Sequence, residues 1–179
     1  IKSQAEVFRK DIFFWRAAAK RAPYDAVAHN AYGLELQRRS INKLAEKEFK
    51  KAIQANSDFA EAHNNLGMLY YNRGLNDSAL VEIKEAVRLD SNYADAYANL
   101  GLVYAEKEEF LLSIDAFKKA LRLDPQNYPA HRNLGMVYSY IGRFSQAISH
   151  LEKAQKLTKN PGVTKEIEEI IENFKARQK

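Results

Sequence analysis

Apolar residues recur along the chain in a pattern that predicts pairs of short amphipathic helices. The clearest example lies between residues 94 and 127, where two stripes at helical spacing are separated by the polar stretch 106–109. The second stripe ends at Asp124-Pro125, because proline disfavours helix in the residue before it. The two stripes are Tyr97, Leu100, Gly101 and Tyr104, then Phe110, Ile114, Phe117 and Leu121.

This pattern repeats with a fixed period of 34 residues. Gly33, Gly67, Gly101 and Gly135 keep that step, and so do a row of small residues twelve positions later and a bulky row after it. The constant glycine predicts a close approach of two helix backbones, with the small residue as its partner on the second helix. The chain therefore divides into four units, 26–59, 60–93, 94–127 and 128–161, preceded by a half-repeat in 1–25 and followed by a capping helix in 162–179.

The repeat resembles the tetratricopeptide repeat, whose 34-residue helix–turn–helix carries W-x2-L-G-x2-Y, then A-x3-F, then P. The third unit matches it with Tyr97-x2-Leu100-Gly101-x2-Tyr104, then Ser113-x3-Phe117, then Pro125. The resemblance implies an all-α fold, an α-solenoid in which the units form a right-handed superhelix. It also implies that the first helix of each unit lines a concave groove.

Both ends depart from the motif. Trp15 is in phase with Phe49, so residues 3–22 are expected to form the second helix of an incomplete unit. Phe13 and Phe14 lie off its core stripe. They either fold against the first unit or, with Trp15, cover a missing helix or another chain, which makes a homo-oligomer one expected partner. At the other end, an apolar face opposite several glutamates is typical of a terminal cap.

The groove positions favour binding of an extended peptide. Asn65, Asn99 and Asn133 occupy the same slot of successive units, and a ladder of amides offers donors and acceptors to a peptide backbone. The alternative is that these amides bond neighbouring helix ends or water. Apolar and aromatic side chains beside the ladder would contact the ligand, or else are partly buried core. The complete predicted lining is Asn64, Asn65, Met68, Tyr71, Asn72, Asn99, Leu102, Arg132, Asn133, Met136 and Tyr140.

Related proteins grip chaperone tails through a two-carboxylate clamp, and this sequence lacks its cations. The equivalent slots hold Asn30, Leu34, Asn65, Asp95 and Asn99 in one register, and neutral residues in the next. Capture of a chaperone tail is therefore not expected.

Composition and charge narrow the remaining functions. The 179 residues include 28 Lys and Arg, 23 Asp and Glu and no Cys, which excludes disulfides, thiol catalysis and Cys-bound zinc. The basic ends and acidic middle argue against a continuous nucleic-acid surface. The densest basic run, Lys43 to Lys51, is interleaved with Glu46 and Glu48 and is typical of a solvated face with i,i+4 pairs.

No enzyme, metal site or cofactor is predicted. His29, His63 and His131 share the Trp slot of the motif one or more whole units apart, a spacing that favours packing over shared metal ligation. Phosphate loops and hydrolase motifs are absent from the sequence. No apolar run reaches the roughly 18 residues that span a bilayer, so no membrane insertion is expected within this chain.

A rival interpretation starts from Trp15, Pro23 and Gly33. Their order resembles the join between the membrane-embedded region and the soluble tetratricopeptide tail of bacterial glycosyltransferase-type proteins. Such a tail would recruit substrates or assemble an enzyme outside the cytoplasm; otherwise a cytoplasmic location is favoured. A self-assembling scaffold that uses Phe13, Phe14 and Trp15 as its contact is the third interpretation. The sequence leaves the ligand unidentified.

Overall fold

The computed structural model describes residues 4–177, and residues 4–11 by their backbone alone. Within that range the chain forms ten α-helices and no strand. In order they are α1 (Gln4–Arg21), α2 (Ala26–Arg38), α3 (Asn42–Ala55), α4 (Ala60–Tyr71), α5 (Asn76–Leu89), α6 (Ala94–Glu106), α7 (Phe110–Leu123), α8 (Tyr128–Tyr140), α9 (Phe144–Leu157) and α10 (Pro161–Ala176). The all-α fold class predicted from the repeat is confirmed.

The helices fall into two compact units that meet in sequence between Ser91 and Asn92. The first unit contains α1 to α5 and the second contains α6 to α10. Within each unit the two helices of a repeat pack on each other, α2 on α3 and α4 on α5 in the first unit, α6 on α7 and α8 on α9 in the second. Helix α1 packs on α2, and α10 packs on α9.

The constant glycine lets the two helices of each repeat approach closely. A Cβ built on Gly101 would lie 2.9 Å from the Phe117 ring, and one built on Gly135 would lie 2.8 Å from Leu151 Cγ. In the third repeat, the Ser113 hydroxyl also donates a 2.7 Å hydrogen bond to the Gly101 carbonyl. The predicted pairing of glycine with the small residue twelve positions later is confirmed in the second, third and fourth repeats, where that residue is Ala79, Ser113 or Ala147.

The turn inside each repeat contains one residue in the left-handed backbone region. Ser40, Gly74, Glu108 and Gly142 have φ values of 59°, 73°, 59° and 75°. These four positions are also 34 residues apart. Glycine adopts this conformation without steric cost, whereas Ser40 and Glu108 are strained there.

Each unit has its own apolar core. In the first unit it is built around Leu36, Phe49 and Leu66, with Trp15 partly buried at its edge. In the second unit it runs from α6 to α10, where Ile167, Ile171 and Phe174 are buried. Helix α10 begins at a defined cap, because the Asn160 side chain accepts hydrogen bonds from the Gly162 and Val163 amides before an N-terminal proline.

Candidate functional site

The second unit has a concavity on the surface of its first helices, with a volume of about 370 Å³. Four of the predicted groove residues line it together: Leu102 on α6, and Asn133, Met136 and Tyr140 on α8. They share one face because Asn133, Met136 and Tyr140 are spaced by three and four residues on one helix. We call this concavity the α6–α8 groove.

An aromatic pair lines the α6–α8 groove. The Tyr140 ring stacks on the Phe110 ring with their centroids 6.0 Å apart and their planes inclined by only 10°. Tyr140 nevertheless keeps 72% of its surface exposed, while Phe110 is half-buried at the start of α7. An exposed tyrosine held in place by a neighbouring ring offers contact area at a low cost in side-chain entropy.

The amides of the predicted ladder have different surroundings. Asn99 and Asn133 are half-buried on α6 and α8, and Asn133 faces the α6–α8 groove. In the first unit, the Asn65 amide nitrogen on α4 donates a 2.9 Å hydrogen bond to Asn30 Oδ1 on α2. That bond fixes the orientation of the Asn65 side chain and uses one of its two amide hydrogens.

The other predicted groove residues differ in how far they are buried or bonded within the protein. Asn64 is only 5% exposed. Arg132 donates to Glu166 on α10 at 3.0 Å, so this arginine is shared with the capping helix. Met68 and Tyr71 are half-buried on α4, and Asn72 is exposed at the C-terminal end of that helix.

The exposed aromatics of α1 form a second surface, in the first unit. Phe13 and Phe14 are 61% and 62% exposed, whereas Trp15 is half-buried against the core. The Phe14 and Trp15 rings are in edge-to-face contact with centroids 5.0 Å apart. Thus Trp15 folds against the first repeat and the two phenylalanines face outwards.

The histidines at the Trp slot have a role beyond packing, which the sequence analysis missed. His29 Nδ1 lies 2.6 Å from Glu48 Oε2, and His63 Nδ1 lies 2.7 Å from Glu82 Oε2. In each case Nε2 lies within hydrogen-bond distance of a carbonyl six residues earlier, at Pro23 or Ser57. The histidine therefore ties its own helix to the second helix of the repeat and to the preceding loop.

The same slot in the fourth repeat lacks the carboxylate. His131 Nε2 lies 3.2 Å from the Pro125 carbonyl, but its Nδ1 lies 3.0 Å from the Nδ1 of His150. The hydrogen bond to Glu82 raises the pKa of His63, despite partial burial. By contrast, burial lowers the pKa of His131, and burial together with nearby His131, Lys153 and Lys118 lowers the pKa of His150 to about 4.

Two further observations concern metal binding and membrane crossing. Among the residues that the structure describes, no group of three His, Cys, Asp or Glu side chains is arranged to hold a metal ion. In the same range, no helix has the length and apolar character needed to cross a membrane.

These features define an all-α protein built from helix–turn–helix repeats, and comparison with family models identifies the repeat. Models described as tetratricopeptide repeat match residues 94–127 and 116–149, and one described as TPR repeat matches residues 69–108. The chain therefore contains tetratricopeptide repeats, which the matches place within residues 69–149.

Solved structures of similar fold include three proteins of comparable length. MamA is 25% identical, with a TM-score of 0.72 over 84% of this chain and 88% of its own. YrrB is 21% identical, with a TM-score of 0.70 over 92% and 85%. PilF of Pseudomonas aeruginosa is 21% identical, with a TM-score of 0.79 over 97% and 84%. No curated protein sequence matches the chain significantly.

Proposed function

We propose that this chain is a protein–protein interaction module that binds an extended peptide segment on the first-helix surfaces of its repeats. The observation that carries the proposal is the α6–α8 groove, which combines the Asn133 amide with apolar Leu102 and Met136 and with the exposed Tyr140 ring. An amide holds a peptide backbone without selecting its side chains. The apolar and aromatic residues contribute contact area, and tyrosine is common among interface hot spots.

The equivalent surface of the first unit adds Asn65, Met68 and Tyr71 on α4 to the proposed contact set. The Asn65 carbonyl oxygen and its second amide hydrogen form no hydrogen bond with another described residue, so both remain for a ligand. The Met68 thioether adapts to different ligand side chains. YrrB, which shares the fold, is described as a TPR protein with an unusual peptide-binding site, so a peptide is a ligand that this fold can hold.

A peptide-library screen tests the proposal. Wild type, the Asn133→Ala/Tyr140→Ala double variant and a Tyr24→Ala control should be screened in parallel, with circular dichroism on each. Tyr24 is a suitable control because it is 89% exposed and lies outside the α6–α8 groove. We expect peptides that bind wild type and the control and bind the folded double variant at least tenfold more weakly. Peptides retained equally by all three proteins, or an absence of peptides for wild type, would overturn the proposal.

A second candidate function is self-association through α1. It is favoured by the outward-facing Phe13 and Phe14, since two neighbouring exposed phenylalanines are typical of a contact surface. Sedimentation over a hundredfold range of concentration, with Phe13→Ser/Phe14→Ser as the disrupting variant, separates the two functions. Leu111→Ser, at a position 72% exposed on α7, is the matched control. A monomer throughout that range would exclude self-association and leave the peptide proposal unchanged.

A further inference from the structure

The second unit has a second concavity, lined by the second helices α7 and α9 together with His131 of α8. Its volume is about 490 Å³. Four basic side chains line it, Lys118 and Arg122 from α7 and Lys153 and Lys156 from α9, beside the histidine pair His131 and His150. We call these six residues the basic pocket.

The basic pocket contains no built-in counter-charge. No Asp or Glu is among its lining residues, and none of its four Lys and Arg side chains forms an ion pair with any described carboxylate. Asp124 raises the pKa of His131, but burial, which is the largest effect, and Lys153 lower it, so the net change is downward. Several cations around one concavity raise the local concentration of anions.

The same slots of the second repeat hold carboxylates instead. Sixty-eight residues earlier, two repeats away, Glu82 stands in place of His150 and Glu85 in place of Lys153. Glu82 bonds His63, and Glu85 binds Arg88 through two hydrogen bonds of 2.6 and 2.8 Å. In that repeat the protein's own carboxylates neutralise its cations, whereas in the fourth repeat both are replaced by basic residues.

The histidine pair can respond to an incoming anion. Because the Pro125 carbonyl accepts a hydrogen bond, His131 Nε2 carries a proton, and in the neutral ring its Nδ1 is an acceptor. The neighbouring His150 Nδ1 must therefore donate across the 3.0 Å gap, which leaves His150 Nε2 as the unprotonated nitrogen. An anion in the pocket favours protonation of that nitrogen, since it supplies the negative charge that Glu82 supplies to His63.

We propose that the basic pocket binds a small organic phosphate, with its dianionic phosphate group among Lys118, Arg122, Lys153 and Lys156. A phosphate group matches this set because guanidinium and ammonium groups form charge-assisted hydrogen bonds to its oxygens. The volume is that of a small-molecule site rather than of a single ion. Leu121 and Leu157 provide an apolar wall for the carbon part of the ligand. The site is separate from the α6–α8 groove and does not depend on peptide binding.

Titration of the histidine ring signals by NMR tests the proposal, with phenyl phosphate as the probe at pH 7 and constant ionic strength. We expect saturable shifts of the His131 and His150 signals at pH 7. A separate pH titration, with and without saturating probe, should show a higher pKa for His150 in the presence of the probe. Inorganic phosphate is expected to bind at least threefold more weakly, because it does not use the apolar wall. Equal or tighter binding of inorganic phosphate would contradict the proposal that the ligand is organic. If neither probe gave saturable shifts, the proposal of a phosphate site would be overturned.

Two variants that introduce the carboxylates of the second repeat into the basic pocket provide the decisive comparison. His150→Glu places a carboxylate at the position equivalent to Glu82, and Lys153→Glu places one at the position equivalent to Glu85. Each should weaken phenyl phosphate binding about tenfold or more. Lys165→Glu makes the same charge change as Lys153→Glu at an exposed position on α10 outside the pocket, and should leave binding within twofold of wild type. Circular dichroism establishes that each variant is folded. Equal losses of affinity for phenyl phosphate in Lys153→Glu and Lys165→Glu would mean that binding depends only on the net charge of the protein, and would overturn the proposal. Loss of the fold in His150→Glu alone would leave Lys153→Glu to decide.

Discussion

Gly67 on α4 lies directly against Ile83 on α5, so closely that a Cβ built on Gly67 would be 2.5 Å from Ile83 Cγ1. Two backbone atoms, the Ala79 carbonyl oxygen and the Ile83 nitrogen, would be 3.2 Å from that Cβ. A flexible side chain can move aside, but two backbone atoms of a packed helix cannot do so without shifting the helix. The glycine therefore sets the distance between the two helices of the second repeat.

Replacement of this glycine should destabilise the protein although alanine is the better helix former. Overpacking a core costs about 1–3 kcal/mol, and the gain in helix propensity is about 1 kcal/mol. We expect Gly67→Ala to lower the free energy of unfolding by up to about 2 kcal/mol, measured by urea denaturation. The penalty should be smaller in an Ile83→Ala background, where the closest atom is absent. Additive effects of the two substitutions would contradict this account.

Much of the fold could be predicted from the sequence because a strict period places the same contact in every repeat. The phase of Gly67 and Ala79 alone indicated which faces of two helices meet. By contrast, the pairing of His29 with Glu48 could not be predicted, because it depends on how far one helix is shifted along the other. Glu48 was expected on a solvated face and is in fact 4% exposed, whereas Glu46 and Lys50 form the expected i,i+4 pair at 2.8 Å.

The candidate site was less accessible to sequence reasoning. Register placed Asn133, Met136 and Tyr140 on one helix face, which is why they line the same groove. The position of a residue within the repeat does not show which side chain on another helix it will bind. The bond between Arg132 and Glu166 arises because α10 continues the stack and brings a carboxylate next to the arginine. The basic pocket could not be predicted, since its four cations come from two helices that are distant in sequence.

The strained turn residues predict a stabilising substitution. Glu108 has a φ of 59°. The equivalent turn residues of the other repeats also have positive φ values, between 59° and 75°, and two of these residues are glycines. Glu108→Gly should raise the free energy of unfolding by about 0.5–1 kcal/mol, because the relief of strain exceeds the added entropy of the unfolded chain. Gly74→Ala should have the opposite effect, although nothing lies within 4 Å of the added Cβ. Thermal denaturation of both variants checks the pair, and a destabilised Glu108→Gly protein would contradict the prediction.

A buried carboxylate in the first repeat predicts a second stabilising change. Glu35 is 2% exposed and contacts Arg38 at 3.2 Å and Arg39 at 3.1 Å. The same slot in the later repeats holds buried or nearly buried Leu69, Val103 and Val137. Replacing a buried ion pair by apolar residues is often neutral or stabilising by about 1–4 kcal/mol, whereas removing one partner destabilises when the other charge stays buried. The Arg38 and Arg39 side chains are 66% and 26% exposed, so both guanidinium groups can reach water once Glu35 is replaced.

We therefore expect Glu35→Leu to unfold at equal or higher urea concentration than wild type. Glu35→Gln, which keeps the shape and removes the charge, should be less stable than both, because a buried amide replaces the ion pair without apolar gain. If the leucine variant proves the less stable of the two, Glu35 has a structural role that its arginine contacts do not explain.

The two kinds of histidine site predict opposite dependences of stability on pH. Burial and nearby cations lower the pKa of His150 to about 4. Between pH 6.5 and 4 the unfolded chain therefore binds a proton that the folded chain does not, and the free energy of unfolding falls as the pH is lowered. The hydrogen bond to Glu82 raises the pKa of His63, so the stabilisation from His63 is fully present below pH 6.5 and is lost as the pH rises through the pKa of His63 in the folded protein.

Urea denaturation at pH 5 and pH 8 measures both effects. His150→Gln should gain stability relative to wild type at the lower pH by about 1 kcal/mol, a figure reduced for the partial exposure of the ring. His63→Gln should instead lose more stability at pH 5 than at pH 8. If both substitutions changed the free energy of unfolding with pH in the same direction, the prediction would be contradicted. The two histidines would then not differ in environment as the presence of Glu82 beside His63 and the lack of a carboxylate beside His150 imply.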